Sequence, residues 1–333
     1  MRLKRLLAVI IALPFGTLVA CSTSVPRTNA PVASLPEKTT LTIGTMPIPD
    51  TAGLQLAIKR RLFEQAGLTV KTETIQGAGP AIPNLVSGHL DVCLLNYVTA
   101  FIAQSEQVAD LGFIADAYQG GPGTFLLMTK PDSGIKTPAD LKGKKIAVAT
   151  LRSIATLTTT VTLKVHGLTA DDVTFVEIPL PNMPAALRAG SIDAAWMVEP
   201  FITAARTRDG ALTLADTAIG PTADFPIAGW GVTKKFAREN PKTVAIVRRV
   251  LEEGQRMAAA DRKAVTDIIP GYTQISPSDA RIITLGVYPQ TLNGSRLDRV
   301  SAYMVEQSYL KKPLDVTSML LPGPTPSSWN GAS

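Results

Sequence analysis

The sequence predicts an α/β protein of two similar lobes, with the second lobe inserted into the first and two hinge crossings between them. Three observations carry this. First, a helix–turn–strand unit occurs twice. Residues 82–97 read IPNLVSGHLDVCLLNY and residues 184–201 read PAALRAGSIDAAWMVEPF. Leu85, Gly88 and Asp91 match Leu187, Gly190 and Asp193 at a constant offset of 102 residues. Second, the order strand, loop, helix recurs around each copy. Third, the C-terminal part has no such series of its own. It is expected to be helical and to pack on the first lobe.

The elements follow in order. Leu41 to Gly44 reads as the first strand, and the loop MPIPDT (46–51) follows it. An amphipathic helix is expected from about Ala52 to Ala66, because Leu54, Ala57, Ile58, Leu62 and Phe63 share one face at helical spacing. Residues 68–75 alternate and read as a second strand. In each repeat, Gly88 or Gly190 suits a helix end, since glycine takes the left-handed conformation without a Cβ clash. The apolar run after each aspartate suits a strand buried on both faces. Residues 99–107 look helical, 111–116 extended and 118–123 a loop. Phe125 to Thr129 reads as a strand. Thr137-Pro138 starts a short helix, with threonine as cap and proline at the first helical position. Ile146 to Ala149 opens the second lobe, a helix runs to about His166, and 173–178 is a further strand. Residues 203–226 are mixed, and 227–232 reads as a strand returning after the second lobe. A long helix occupies 241–260 and another begins at Ser276. The expected division is 41–129 plus 230–333 for the first lobe and 130–229 for the second. The hinges fall near 128–131 and 227–232.

The ends carry other signals. Arg2, Lys4 and Arg5 precede an apolar stretch from Leu6 to Leu18, a secretory signal pattern over 1–20. It ends in Leu18-Val19-Ala20-Cys21, which looks like a lipobox that places a lipid, palmitate included, on Cys21. Residues 21–40 then read as a flexible tether rich in Ser, Thr, Pro and Ala. No other apolar run approaches the ~18 residues of a spanning helix. The chain is therefore expected to be exported and anchored to the membrane by lipid. Removing the three positive charges of the signal takes the formal net charge from +6 to +3. The basic balance is thus partly the export signal, and a nucleic-acid partner is not expected. Cys93, alone after Cys21, has no internal disulfide partner and reads as a small buried hydrophobe. Aromatics make up 5% of the chain, which argues against a sugar site built by ring stacking.

With these residues in place the chain resembles the ABC-importer solute-binding proteins of the nitrate/sulfonate/taurine and thiamine-pyrimidine family. The resemblance is carried by the lipobox, LAIKRRLFEQAGLTV (56–70), the two Leu-x-x-Gly-x-x-Asp turns, TPADLKGKKIAVAT (137–150), VHGL (165–168), DAAWMVEPF (193–201) and GWGVTKKFARENP (229–241). It covers about residues 41–265. Arg61 stands where the family often has a glycine, which is read as a change on a helix surface. The resemblance implies a periplasmic-binding-protein-like fold that closes on a small polar solute, sulfonate-, taurine-, nitrate- or pyrimidine-like. It implies delivery to an ABC permease with its ATPase, and no cofactor. A monomer is expected. The alternatives are a membrane-tethered sensor or adaptor of the same fold, and an enzyme like the thiamine-pyrimidine synthases.

Ligands of open α/β sheets bind beyond the carboxyl ends of the strands. The candidate contacts are therefore Asp50, Gln76, Asn96 and Tyr97 in the first lobe, and Arg152, Ser153, Asn182 and Glu199 in the second. Helix starts near 52, 80, 153 and 184 would turn free N–H groups into the cleft. Asp50 and Glu199 oppose a bare inorganic anion and suit a solute with hydrogen-bond donors. No catalytic residue is expected. His89 and His166 lie beside turn glycines, outside the cleft loops, and the cysteine-rich motif of the synthases has no match. No phosphate loop is present, Gly120, Gly121 and Gly123 precede a strand rather than a helix, and no metal-ligand spacing occurs.

Overall fold

The computed structural model describes residues 35–323. Its strands in chain order are β1 (Thr40–Thr45), β2 (Thr69–Thr74), β3 (Val92–Asn96), β4 (Leu111–Gln119), β5 (Phe125–Thr129), β6 (Lys145–Val148), β7 (Thr174–Glu177), β8 (Ala194–Val198), β9 (Leu212–Asp216) and β10 (Pro226–Thr233). They form two five-stranded sheets, ordered β2-β1-β3-β10-β4 and β7-β6-β8-β5-β9. In the first, β1 runs parallel to β2 and β3, and β10 is antiparallel to β3 and β4. The second repeats this plan with β6, β7 and β8 parallel and β5 antiparallel to β8 and β9. Each sheet thus takes one antiparallel strand from beyond a crossing.

That exchange moves the expected boundaries. Phe125–Thr129 was placed with the first lobe, yet it lies in the second sheet between β8 and β9. Residues 227–229 were placed with the second, yet they belong to β10 in the first sheet. The chain crosses between sheets at 120–124 and 217–225, not at 128–131 and 227–232. The physical reason is that both strands are buried along nearly their whole length, so their apolar pattern suits the centre of either sheet.

The repeated turn has a defined job. Gly88 (φ 79) and Gly190 (φ 70) end their helices in the left-handed conformation. Their amides donate to the carbonyls of Leu85 and Leu187 at 3.1 and 3.0 Å. The Asp91 carboxylate accepts from the Thr42 amide at 3.0 Å, and the Asp193 carboxylate accepts from the Lys145 amide at 2.9 Å. Each aspartate therefore registers its strand, β3 or β8, against the start of β1 or β6. Lys38 completes the first with an ion pair at 2.7 Å to Asp91.

Three further expectations change. The helix expected over 52–66 is two pieces, Ala52–Lys59 and Leu62–Gln65, broken where Arg61 takes φ 58. Arg61 is thus a left-handed hinge residue rather than a helix-surface one, which explains why glycine suits that position. The tether's last residues are docked. The Glu37 carboxylate accepts from the amides of Lys242 and Thr243 at the start of the helix Pro241–Ala260, whose first turn has no other intrahelical acceptor. The mixed segment contains the helix Phe201–Asp209 and the edge strand β9.

The helix Pro241–Ala260 packs on the helix Ala52–Lys59 and on β4, and the helix Gly294–Glu306 packs on the helix Tyr97–Ser105. The C-terminal part therefore covers the first sheet. Among the described residues no helix is long and apolar enough to cross a membrane. The signal over 1–20 and Cys21 lie outside the described residues.

Candidate functional site

A cleft lies between the carboxyl ends of the parallel strands of the two sheets. Its cavity volume is about 70 Å³, within about 560 Å³ of space between the lining atoms that includes open solvent. The first sheet contributes Met46, Ile48 and Asp50 from the loop after β1, Gly77 and Ala78 after β2, Leu94 and Asn96 from β3, and Ile227 and Ala228 from β10. The second contributes Phe125 from β5, Ala149, Thr150, Ser153, Ile154 and Ala155 after β6, Leu180 after β7, and Trp196 and Val198 from β8. No lysine or arginine is among these lining residues.

Three helical starts meet here, at Asp50, Gly77 and Ser153. They open the turn Pro49–Thr51 with its helix Ala52–Lys59, the helix Ala78–Ser87 and the helix Ile154–Val165. First-turn N–H groups have no intrahelical acceptor, and the helix dipole adds partial positive charge at the same place. The sheets approach closely at Gly77. A Cβ there would stand 2.5 Å from the Thr150 hydroxyl, and φ 155 is a backbone state that favours glycine.

The walls are apolar. Phe125 and Trp196 stack with centroids 5.1 Å apart and planes at 11°. The Trp196 indole N–H donates away from the cleft, to Thr217 at 2.9 Å and Thr158 at 3.1 Å. This fixes the ring as a flat surface beside the space. These two rings form one wall of the cleft.

The predicted residues divide. Asp50, Asn96 and Ser153 line the cleft together. Asn96 also caps the helix Tyr97–Ser105 through the Thr99 amide at 2.9 Å. Ser153 caps its helix through the Ala155 amide at 3.3 Å and donates to the Thr150 carbonyl at 2.6 Å. Gln76 lines a smaller neighbouring pocket with Pro47, Pro181 and Phe201. Tyr97 is fully buried beneath the sheet, where its hydroxyl donates to Asp116 at 2.9 Å. Arg152 points along the surface and pairs with Glu106 across the two sheets at 2.9 Å. Asn182 is exposed outside the lining. The Glu199 carboxylate is committed to the chain itself. It accepts from the Thr203 amide and hydroxyl, both at 3.0 Å, and from the Thr284 amide at 3.3 Å. It caps the helix Phe201–Asp209 and ties the second sheet to the C-terminal segment. Burial raises its pKa against those hydrogen bonds.

Asp50 is the contrasting carboxyl. It is 5% exposed and has no ion-pair or side-chain partner among the described residues. Burial pushes it up to about 7, opposed only by its own backbone amide. The strand residues of the lining that sequence reasoning missed are Leu94, Phe125, Trp196, Val198, Ile227 and Ala228. They sit on strands, where an apolar residue facing a cleft carries the same signal as one facing the core. Thr150 was legible only as part of the loop after β6.

The comparisons with known proteins agree with this architecture. The chain is 28% identical over 181 residues to the taurine-binding periplasmic protein of Escherichia coli (strain K12), covering 54% of this chain and 55% of that one. It is 25% identical over 224 residues to a putative aliphatic sulfonates-binding protein of Bacillus subtilis (strain 168), covering 66% and 64%. The matches thus span about half to two thirds of these relatives' length. The alkanesulfonate-binding protein SsuA from Xanthomonas axonopodis pv. citri, solved bound to MOPS, superposes with a TM-score of 0.73 at 21% identity, over 86% of this chain and 99% of that one. The fold is the same two-sheet, periplasmic-binding-protein-like one. A family profile matches residues 34–269, and the chain belongs to the NMT1-like family.

Proposed function

We propose that this protein is the solute-binding component of an ABC importer. It captures a small organic solute between its two sheets and delivers it to a membrane permease with its ATPase. The observation that carries the reading is the cleft itself. It joins an apolar, ring-stacked wall to three converging helical starts, which suits a solute with an apolar body and an electronegative end. The relatives that bind taurine and aliphatic sulfonates support the same class of solute. The protein works as a monomer, exported and held at the membrane by lipid on Cys21. The lobes are the two sheets with their helices, hinged at 120–124 and 217–225.

A thermal-shift screen of the chain from Val32 onward tests capture, with small sulfonates, nitrate, pyrimidines and amines as ligands. A ligand present at 100 times its Kd stabilises by about 2.7 kcal/mol, a shift of several degrees. One organic class should give that shift and be recovered chemically unchanged. Turnover of the solute, or a flat response to every class, would contradict the proposal. Cys21→Ser should move the full-length protein from the membrane to the soluble fraction, and unchanged membrane association would remove the anchor from the account.

A further inference from the structure

We propose that the cleft selects solutes carrying a protonated amine, and that the Asp50 carboxylate holds that amine. The inference rests on the solute-binding reading above and deepens it. Asp50 lines the cleft, is 5% exposed, and meets no ion-pair or side-chain partner among the described residues. A carboxylate out of water is costly unless a cation or donors complete it. Among the described residues the chain supplies no cation, and the one donor is Asp50's own backbone amide. Behind Asp50, the Tyr272 hydroxyl donates to the Ile48 carbonyl at 3.3 Å and the Tyr288 hydroxyl donates to the Pro49 carbonyl at 3.0 Å. The Tyr118 hydroxyl accepts from the Gly286 amide. Tyr272 and Tyr288 thus tie the loop from its far side, while Asp50 lines the cleft. Burial lifts its pKa to about 7, and no charged neighbour acts on it.

The same geometry rejects bare anions. The lining offers no lysine or arginine, so helix starts alone would face an anion that Asp50 repels. A protonated amine reverses the sign of that interaction. Ile48, Leu94, Phe125, Leu180, Trp196 and Val198 then receive the solute's apolar body. An acidic end, where the solute has one, lies against the helical starts at Ala78 and Ile154.

Calorimetric titration of the purified protein with matched pairs tests this. The pairs are taurine and ethanesulfonate, 3-aminopropylphosphonate and propylphosphonate, and 4-aminomethylpyrimidine and 4-methylpyrimidine. The amine member of at least one pair should bind about tenfold tighter or more than its partner. Asp50→Asn, checked for folding by circular dichroism, should bring that pair to within about threefold. The wild-type ratios test the proposal even where the variant fails to fold. Amine-free members that bind as tightly as their partners would overturn it while leaving solute capture intact. A preference that survives in Asp50→Asn would overturn the assignment to Asp50. Failure of every amine to bind would also overturn the inference, and the thermal-shift screen would then decide separately whether the cleft captures another solute.

Discussion

Arg61 carries a backbone angle that its side chain disfavours. At φ 58 it joins the helices Ala52–Lys59 and Leu62–Gln65, and its side chain is exposed. The left-handed state costs a non-glycine residue roughly 1–2 kcal/mol. Glycine loses about 0.5–1 kcal/mol of that advantage through its more flexible unfolded state. Arg61→Gly should therefore stabilise the protein by about 0.5–1 kcal/mol, seen as a Tm rise of about 1–3 °C. No rise would mean that the arginine side chain compensates for the strain. Asp50 makes the opposite kind of statement. Its carboxyl titrates near 3.8 when exposed and is lifted to about 7 in the folded protein. Below pH ~4 both states hold the proton and the group is neutral in the balance. Between pH ~4 and ~7 the unfolded state ionises first, so stability falls as pH rises, by about 4 kcal/mol at most. Above pH ~7 the loss is complete. Asp50→Asn should thus be more stable than wild type at pH 8, by roughly 1–3 kcal/mol in urea unfolding, and should match it near pH 4. Equal stability at both pH values would place the Asp50 carboxyl in contact with water.

At the scale of elements, the Leu-x-x-Gly-x-x-Asp echo is legible because each letter has a local task. Leucine is buried, glycine turns the helix end, and aspartate registers the next strand on its neighbour. The two aspartates differ in surroundings. Asp91 is 3% exposed and paired with Lys38, whereas Asp193 is 36% exposed. Loss of a buried acceptor leaves a donor unmet, at about 1–3 kcal/mol. Asp91→Ala should therefore cost about 2 kcal/mol or more and Asp193→Ala about 1 kcal/mol or less. Denaturant titration of both variants checks the order, and a larger loss at Asp193 would contradict it. What the sequence did not reveal at this scale was partnership. β5 was found as a strand but assigned to the wrong sheet, and the expected boundary cut through β10, because pairing is decided by contacts remote in sequence and each run is apolar enough for both. β9 was missed because LTLAD is a short edge strand with Leu212 exposed. The reach of Glu37 to Thr243 was missed because a helix cap 206 residues away has no local signature.

At the scale of the molecule, contacts between the two halves determine where the cleft lies. Arg152 meets Glu106, the Gly123 amide donates to Asp216 at 2.6 Å, Glu199 holds the Thr284 amide, and Gly77 lies against Thr150. Reasoning from loops beyond strand ends named Asp50, Asn96 and Ser153, and all three line the cleft. It could not separate them from Arg152, which pairs with Glu106 of the other half, or from Glu199, which Thr203 and Thr284 occupy. It also passed over Phe125 and Trp196, since a strand pattern does not say which buried face borders a cavity. The central claim is that a solute occupies this space and no other. A crystal structure of the protein with the solute chosen by the thermal screen tests it most directly. The account predicts the solute between the sheets, packed on Phe125 and Trp196, with a polar group within hydrogen-bond distance of the helical starts at Ala78 or Ile154. A solute bound on the outer surface, with the cleft occupied by water alone, would contradict it.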